Sequence, residues 1–500
     1  MPAGRRWSRT LICGSGLPLL AAACAAGPEP SGGFVPPPEC FLRAGAAAGN
    51  ILEVHAPGAI RPRHAPIPTT PAERIAFRHL YETLVRVDCT GATRPGLAAG
   101  WEAEDGGRAW RLTLREGAAF WDGTPVRAVD VIESWRTRPP GDGGDSADAL
   151  VAPGRWDLRA AVAASAETVD DRTLRIRLDR PTAEPPPWLA DPALAVYRPA
   201  GGGAWPEGTG PYRLHVDALL PGEGGRGEGA GRVIAFPEGW TPGDARPVLR
   251  FRLAHVPDPR EVLDAGEDLV LTDDPSALAY AATLPGLEAL PLPWDRVYAL
   301  LAGAEAARPG DNDDGRALRA ALARDAVRAE ARAAEPSWWA DVSASCESVP
   351  APAVPLVRED RGAPARIAAH PGTAGARIVY PREDATARDL AERFVVLASA
   401  PAGAASPPWV RGLPRVAEGL AGAAFADALL RRSEAAFVLP LPRDGALPCA
   451  ARFAPGPGWV LRPLVDARRR LIAGDDVSGL AVDGDGTLLL FGAGRTGGHP

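Results

Sequence analysis

The side chains best able to hold a metal or attack a substrate are few and dispersed. Of seven histidines, His55 and His64 lie near each other, whereas His215, His255 and His370 are scattered. A nickel-type site wants converging imidazoles, so no metal is expected. Six cysteines form no CxxC pair, which argues against zinc. The chain has no lysine at all; its 55 basic residues are arginines. That removes the Walker-type phosphate loop, the Schiff base and the Ser-Lys dyad. An exported hydrolase would need a nucleophile motif such as GxSxG, and the mature chain has none. The glycine-rich stretches 201–203 and 222–231 lack the strand–helix context of a phosphate cradle and read as surface connections. The net charge is −7, and without a basic patch nucleic acid is not an expected partner. No cofactor is implied.

The first residues read as an address. Arg5, Arg6 and Arg9 precede the apolar run 11–23, which is too short to span a bilayer comfortably. It ends in Leu20-Ala21-Ala22-Ala23-Cys24, small residues of the kind a signal peptidase requires. Cys24 stands where a bacterial lipoprotein carries its lipidated cysteine, although the usual leucine three residues earlier is Ala21. Plain secretion is the alternative, and Arg5-Arg6 raises twin-arginine export. Residues 1–23 are thus expected to be a signal peptide. The segment 24–49 then holds the lipid and a Gly, Pro, Ala and Ser tether. The 56 glycines and 54 prolines make up about 22% of the 500 residues, short of the roughly 25–30% that marks low complexity.

Export implies an oxidising compartment. Cys40, Cys89, Cys346 and Cys449 are then an even set with three possible pairings. Cys40–Cys89 and Cys346–Cys449 are preferred because each pair stays within one half of the chain.

Several elements must position whatever site exists. Residues 51–54 read as a strand. Thr70-Pro71 starts a helix, with threonine as cap and proline in the first turn; Ile75, His79 and Leu80 share its face. Residues 110–114 and 173–178 alternate as half-buried strands, the latter with Arg175 and Arg177 outward. Asp122-Gly123 marks a turn, and Val131 and Trp135 lie one helical turn apart. A helix is expected over 315–333, preceded by Asp311, Asp313 and Asp314. A strand over 377–380 leads to a helix carrying Ala387, Leu390, Phe394 and Leu397 on one face. Phe425 and Leu429 mark another helix before a strand over 436–439. The order implies a mixed α/β lobe.

Four stretches resemble the family 5 extracellular solute-binding proteins, the oligopeptide, dipeptide and nickel receptors of ABC importers. The first runs from His79 through Tyr81, Glu82 and Leu84 to Val85, followed by Arg94-Pro95-Gly96-Leu97-Ala98 and Trp101. The second joins 110–117 to Phe120-Trp121-Asp122-Gly123-Thr124-Pro125-Val126, then Ala128, Asp130 and Val131. The third is Gly208-Thr209-Gly210-Pro211-Tyr212-Arg213-Leu214, and the fourth the segment 316–322. The second is the most specific. From 340 onward the likeness is faint. These residues read mainly as builders of the lobe. Relatives often carry Ser or Thr at the position of Arg127; arginine cannot accept as a cap, so that helix end is expected to be less well fixed.

The resemblance implies an α/β, two-lobed, periplasmic-binding-protein-like fold of type II with the extra subdomain of the peptide-binding group. The first lobe would occupy 50–272, with the subdomain at about 90–170. The second would occupy 273–465, and 466–500 would return to the first lobe. It implies a monomeric, membrane-tethered receptor without chemistry. Such a receptor would close on a peptide-like or other small solute and serve a membrane permease. By position, Thr69 and Thr70 should face the cleft, with Val196 and Tyr197 opposite. Trp294, Arg296 and Tyr298 should lie at the crossover, and Leu441, Arg443 and Asp444 on the second lobe. A peptide's termini need a carboxylate and a cation; without lysine the cation must be arginine. Asp295 with Arg296, and Arg443 with Asp444, could serve, or could be exposed loop charges. Trp294 and Tyr298 could stack on a ligand or pack in the core. The run 439–444 lacks the aromatic that relatives carry there. A degenerate member acting as a ligand sensor or partner-binding lipoprotein is therefore a second reading.

Overall fold

The strand Ile51–His55 sits at the centre of a seven-stranded sheet, with Leu52 and Val54 buried in its main core. Its two neighbours, Val248–Arg252 and Leu269–Thr272, run parallel to it. Arg232–Pro237 and then Tyr212–Leu214 extend one edge antiparallel, while Arg470–Gly474 and Leu287–Pro291 extend the other. The pleat sends successive residues to opposite faces. Leu269, Leu271, Leu471 and Ala473 enter one core. Val270 and Ile472 enter another, beneath the helices Pro259–Asp264 and Pro275–Ala281. The computed structural model describes residues 36–45, 51–137, 155–200, 205–214, 232–237, 245–252, 258–303, 338–339, 377–382, 384–399, 415–431, 436–442 and 459–496. The helix expected over 315–333, the residues Cys24, Cys346, Cys449, Arg443 and Asp444, and the loops 201–203 and 222–231 lie outside them.

The helix Pro71–Leu80 begins as its residues dictate. The Thr70 hydroxyl accepts from the Glu73 N–H at 3.1 Å, and Pro71 occupies the first turn. Its far end is tied to the C-terminal segment. Arg78 pairs with Asp483 at 3.2 Å and Asp485 at 3.3 Å. His79 donates from Nδ1 to the Ile75 carbonyl (2.8 Å), and its Nε2 accepts from the Leu490 N–H (3.0 Å). That pattern needs a neutral imidazole, and burial pushes the His79 pKa down to about 3.

A four-stranded antiparallel sheet forms the subdomain, in the order Ala98–Glu104, Ala109–Leu114, Thr173–Arg177, Ala166–Thr168. The helices Ala128–Arg136 and Arg155–Ser165 belong to the same unit. Val131, Trp135 and Val162 share one core with Leu112, Leu174 and Ile176. The start of the first helix is held despite its arginine. Asp130 reaches back to accept from the Arg127 N–H at 2.8 Å, so the expected loosening is corrected by the acid three residues on. Arg159 is fully buried and donates to the carbonyls of Ala193, Ala195 and Ser134 and to the Ser134 hydroxyl.

The second lobe is built on a six-stranded mixed sheet. Its order is Trp338–Trp339, Trp459–Ala467, Arg296–Gly303, Ala436–Pro442, Arg377–Pro381, Val416–Leu420. Alternation again divides two cores. Tyr298, Leu300, Ala302, Ile378, Tyr380 and Val438 pack with Ala387, Leu390 and Phe394 of the helix Ala385–Ser399. Leu301, Val379, Phe437 and Leu439 pack with Phe425 and Leu429 of the helix Gly422–Arg431.

The chain passes from the first sheet to the second through 292–295 and returns through 468–469. The strand Leu287–Pro291 belongs to the first sheet, so the outward crossing comes later than a boundary at 272/273 would put it. After the return, Leu480–Val482 pairs with Phe41–Arg43. Cys40 and Cys89 are joined by a disulfide, one of the two expected pairs. Among the described residues no helix is long and apolar enough to cross a membrane.

Candidate functional site

Where the chain crosses between sheets, charged side chains meet in the interior. Arg296, the first residue of its strand, is only 6% exposed, and Asp295 beside it 7%. The expectation of exposed loop charges here is thus corrected: both are buried and paired. The Arg296 Nη1 lies 2.8 Å from an Asp273 oxygen, its Nε lies 3.2 Å from Asp295, and Asp384 is 4.0 Å away. Nη1 also donates to the Tyr298 hydroxyl at 2.8 Å. That hydroxyl reaches both Asp384 oxygens at 2.8 Å. Asp295 in turn accepts from Arg469 at 2.7 Å.

The elements explain the convergence. Asp273 directly follows the first-sheet strand Leu269–Thr272. Asp384 caps the helix Ala385–Ser399, accepting from the Ala387 N–H at 2.8 Å. Arg296 and Tyr298 are two apart on one strand and so share a face. Arg469 lies on the returning segment. Burial, reinforced by Asp273, raises the Asp384 carboxyl above its ordinary range. Burial acts the same way on Asp273, but Arg296 and Arg469 outweigh it and hold that carboxyl below. Sequence reading found Asp295, Arg296 and Tyr298. It missed Asp273, Asp384 and Arg469. Asp273-Asp274-Pro275 does signal a helix start, but nothing local pairs Asp273 with a residue on the other sheet.

The remaining expected cleft residues divide. Trp294 is half-buried at the crossing, with the Arg468 guanidinium 4.5 Å from its ring centroid. Thr69 donates through its hydroxyl to Glu73 at 2.8 Å and lies 3.1 Å from His64 Nδ1. Glu73 also accepts from the N–H groups of Arg61 and Thr69 and sits 2.7 Å from His64. This buried carboxylate fixes the loop before the helix. Thr70 is the helix cap. Val196 and Tyr197 are 0% and 1% exposed. Val196 bridges Glu82, and the Tyr197 hydroxyl donates to the Thr137 carbonyl at 2.9 Å. Their expected place facing a cleft is corrected to the core. Leu441 packs half-buried against the second lobe's core.

The motif residues build the first lobe. Glu82 is buried and takes Arg115 in a fork, at 3.2 and 2.8 Å, with Arg86 at 3.4 Å. Tyr81 donates to the Pro206 carbonyl, and Leu84 is core. Phe120 is buried under the Arg198 guanidinium, 4.1 Å from its centroid. Asp122 accepts from the Thr124 hydroxyl and N–H, which, with a smaller contribution from its pairing with Arg198, hold its carboxyl down at about 2. Gly123 has φ +84° in that turn, and Ala119 bridges Pro125 as it closes. Thr209 accepts from the Glu82 N–H. A Cβ on Gly208 would lie 2.1 Å from the Leu80 carbonyl oxygen, and one on Gly210 2.4 Å from that of His79. Pro211 leads into Tyr212, whose buried ring stands edge-on to His79 at 5.4 Å.

Residues 92–216 match the profile of bacterial extracellular solute-binding proteins, family 5 Middle. The periplasmic murein peptide-binding protein MppA of Escherichia coli K12 is 34% identical over 127 residues, 23% of this chain and 22% of that protein. The periplasmic oligopeptide-binding protein OppA of Salmonella typhimurium is 44% identical over 59 residues, 12% of this chain and 11% of that one. These matches thus span less than a quarter of each relative's own length. The fold extends further. NikA from Brucella suis, solved with Fe(III)-EDTA, superposes with a TM-score of 0.59 at 16% identity, covering 89% of this chain and 100% of that one. A dipeptide-binding protein from Pseudoalteromonas sp. SM9913, solved with Met-Leu, gives 0.55 at 13%, covering 90% and 100%.

Proposed function

We propose that this chain, whose residues 92–216 match the family 5 bacterial extracellular solute-binding proteins, belongs to that family and is the receptor of an ABC importer. It captures a peptide-like or other small solute between its lobes by hinge closure and passes it to a membrane permease. The observation that carries this reading is the pair of segments, 292–295 and 468–469, crossing between two separately cored sheets. Two connections let two rigid bodies rotate about one line. The lobes then divide at these segments. The protein is a binding protein and not an enzyme.

Export follows from the leader over 1–23 and is supported by the periplasmic relatives and by the Cys40–Cys89 disulfide, which suits an oxidising compartment. Cys24 is the lipid anchor, leaving a monomer tethered on the outer side of the membrane. Arg296 is a cation beside the crossing, and Trp294 an aromatic surface within it. With its carboxylate neighbours, Arg296 presents mixed charge to a zwitterionic solute.

Native mass spectrometry of the purified protein tests this reading by showing a co-purified small molecule. Adding back that molecule at 100 times its dissociation constant should stabilise the fold by about 2.7 kcal/mol. A panel of peptides and small solutes that leaves the melting temperature unmoved would favour the sensor reading instead. The second reading draws on the run Leu439-Pro440-Leu441-Pro442, which lacks an aromatic and is spent on sheet pairing with Arg296–Ala299.

A further inference from the structure

Arg296 is placed between alternative partners. Its Nη1 touches Asp273 of the first lobe at 2.8 Å and stands 4.0 Å from Asp384 of the second. Its Nη2 is buried and has no hydrogen-bond partner among the described residues. The guanidinium therefore has a donor to spare and a second carboxylate within about an ångström of contact. The other bonds of the cluster need not change when the lobes rotate. Tyr298 and Asp384 both belong to the second lobe, and Asp295 and Arg469 both to the crossing segments. Asp273–Arg296 is the bond that spans the lobes.

We propose that Arg296 is an exchange switch at the hinge, holding Asp273 in the arrangement seen here and passing to Asp384 when the lobes rotate. This rests on the hinge-closing reading above. Breaking a buried ion pair outright strands a charge and is strongly unfavourable. Exchanging one carboxylate for another avoids that cost, so both arrangements stay within reach of a ligand's differential affinity. Asp384 suits the part. Its present partners are the Tyr298 hydroxyl and the Ala387 N–H, and both can stay as Arg296 approaches.

The test is small-angle scattering of the ligand-free full chain as wild type, Asp273→Asn and Asp384→Asn. Asparagine keeps the shape at both sites and still caps the helix at 384. Losing the Asp273 partner should populate the Asp384-bound arrangement and move the ligand-free radius of gyration. Losing the Asp384 partner removes that arrangement, so Asp384→Asn should keep the ligand-free wild-type radius and compact less with the co-purified molecule. Shifts of the same sign in the two ligand-free variants, or none in Asp273→Asn, overturn the switch. Should Asp273→Asn fail to fold, Asp384→Asn decides alone, since compaction equal to wild type contradicts the proposal. Wild-type scattering with the co-purified molecule is read separately. No compaction there defeats the hinge reading itself, whereas compaction with same-sign variants defeats only the switch.

Discussion

Arg296 and Asp273 form a 2.8 Å ion pair between the first residue of a second-sheet strand and the residue that directly follows a first-sheet strand. The two are 23 residues apart, and the strands they belong to or follow lie in different sheets. The lobes are thus joined by chemistry as well as by chain. The same logic, buried arginine against buried acid, recurs through a protein that has no lysine.

Glu82 is the acid on which the first lobe and its subdomain converge. Removing one partner of a buried pair leaves an uncompensated charge and costs about 3–5 kcal/mol. Glu82→Ala should lose stability of that order in urea unfolding, stranding Arg115 and Arg86. A loss under 1 kcal/mol would show that solvent reaches both arginines.

His79 makes the fold sensitive to acid. Its folded pKa of about 3 lies below the unfolded value of 6.5, so between those values the unfolded chain binds the extra proton. Stability is therefore full above about pH 6.5 and falls as the pH drops toward 3, by at most about 1.4 kcal/mol per unit from this group. His79→Leu should flatten the slope measured between pH 6.5 and 4.5 while lowering stability at pH 7. An unchanged slope would assign the acid sensitivity to the carboxylates.

Two motif glycines should respond differently to alanine. At Gly208 the methyl would meet the Leu80 carbonyl oxygen and lie 2.7 Å from the Trp121 ring. Overpacking of this kind costs about 1–3 kcal/mol or more. At Gly123 the space is open and only φ of +84° objects, at roughly 1–2 kcal/mol. Gly208→Ala should melt lower than Gly123→Ala; the reverse order would contradict the packing.

The Cys40–Cys89 bond closes a loop across a sequence separation of 49. In the chain-entropy account that is worth about 4 kcal/mol. Cys40→Ser and Cys89→Ser should each lose a similar amount, and the double variant no more than either. A double variant much weaker than both would mean that the thiols act separately.

What the sequence disclosed was local. Thr70-Pro71 starts its helix and Asp122-Gly123 makes its turn because cap and turn chemistry act over three or four residues. The alternation at 110–114 and 173–178 foretold strands because the pleat sets it. The cluster at the crossing was only half legible: Asp295, Arg296 and Tyr298 are adjacent in the chain, but Asp273, Asp384 and Arg469 arrive from three other elements. Val196 and Tyr197 were misplaced for a related reason. An apolar and an aromatic residue suit a cleft wall and a core equally well, and only the pairing with Glu82 and Thr137 tells them apart. Arg127 misled because the acid that rescues its helix end stands three residues further on.

The central claim is that two lobes close on a solute about the crossing segments. Small-angle scattering of the full chain, with and without the molecule that co-purifies, measures that closure directly. A smaller radius of gyration with the molecule bound, returning to the ligand-free value on its removal, is the predicted result. Saturating binding with no change in the radius would contradict the account.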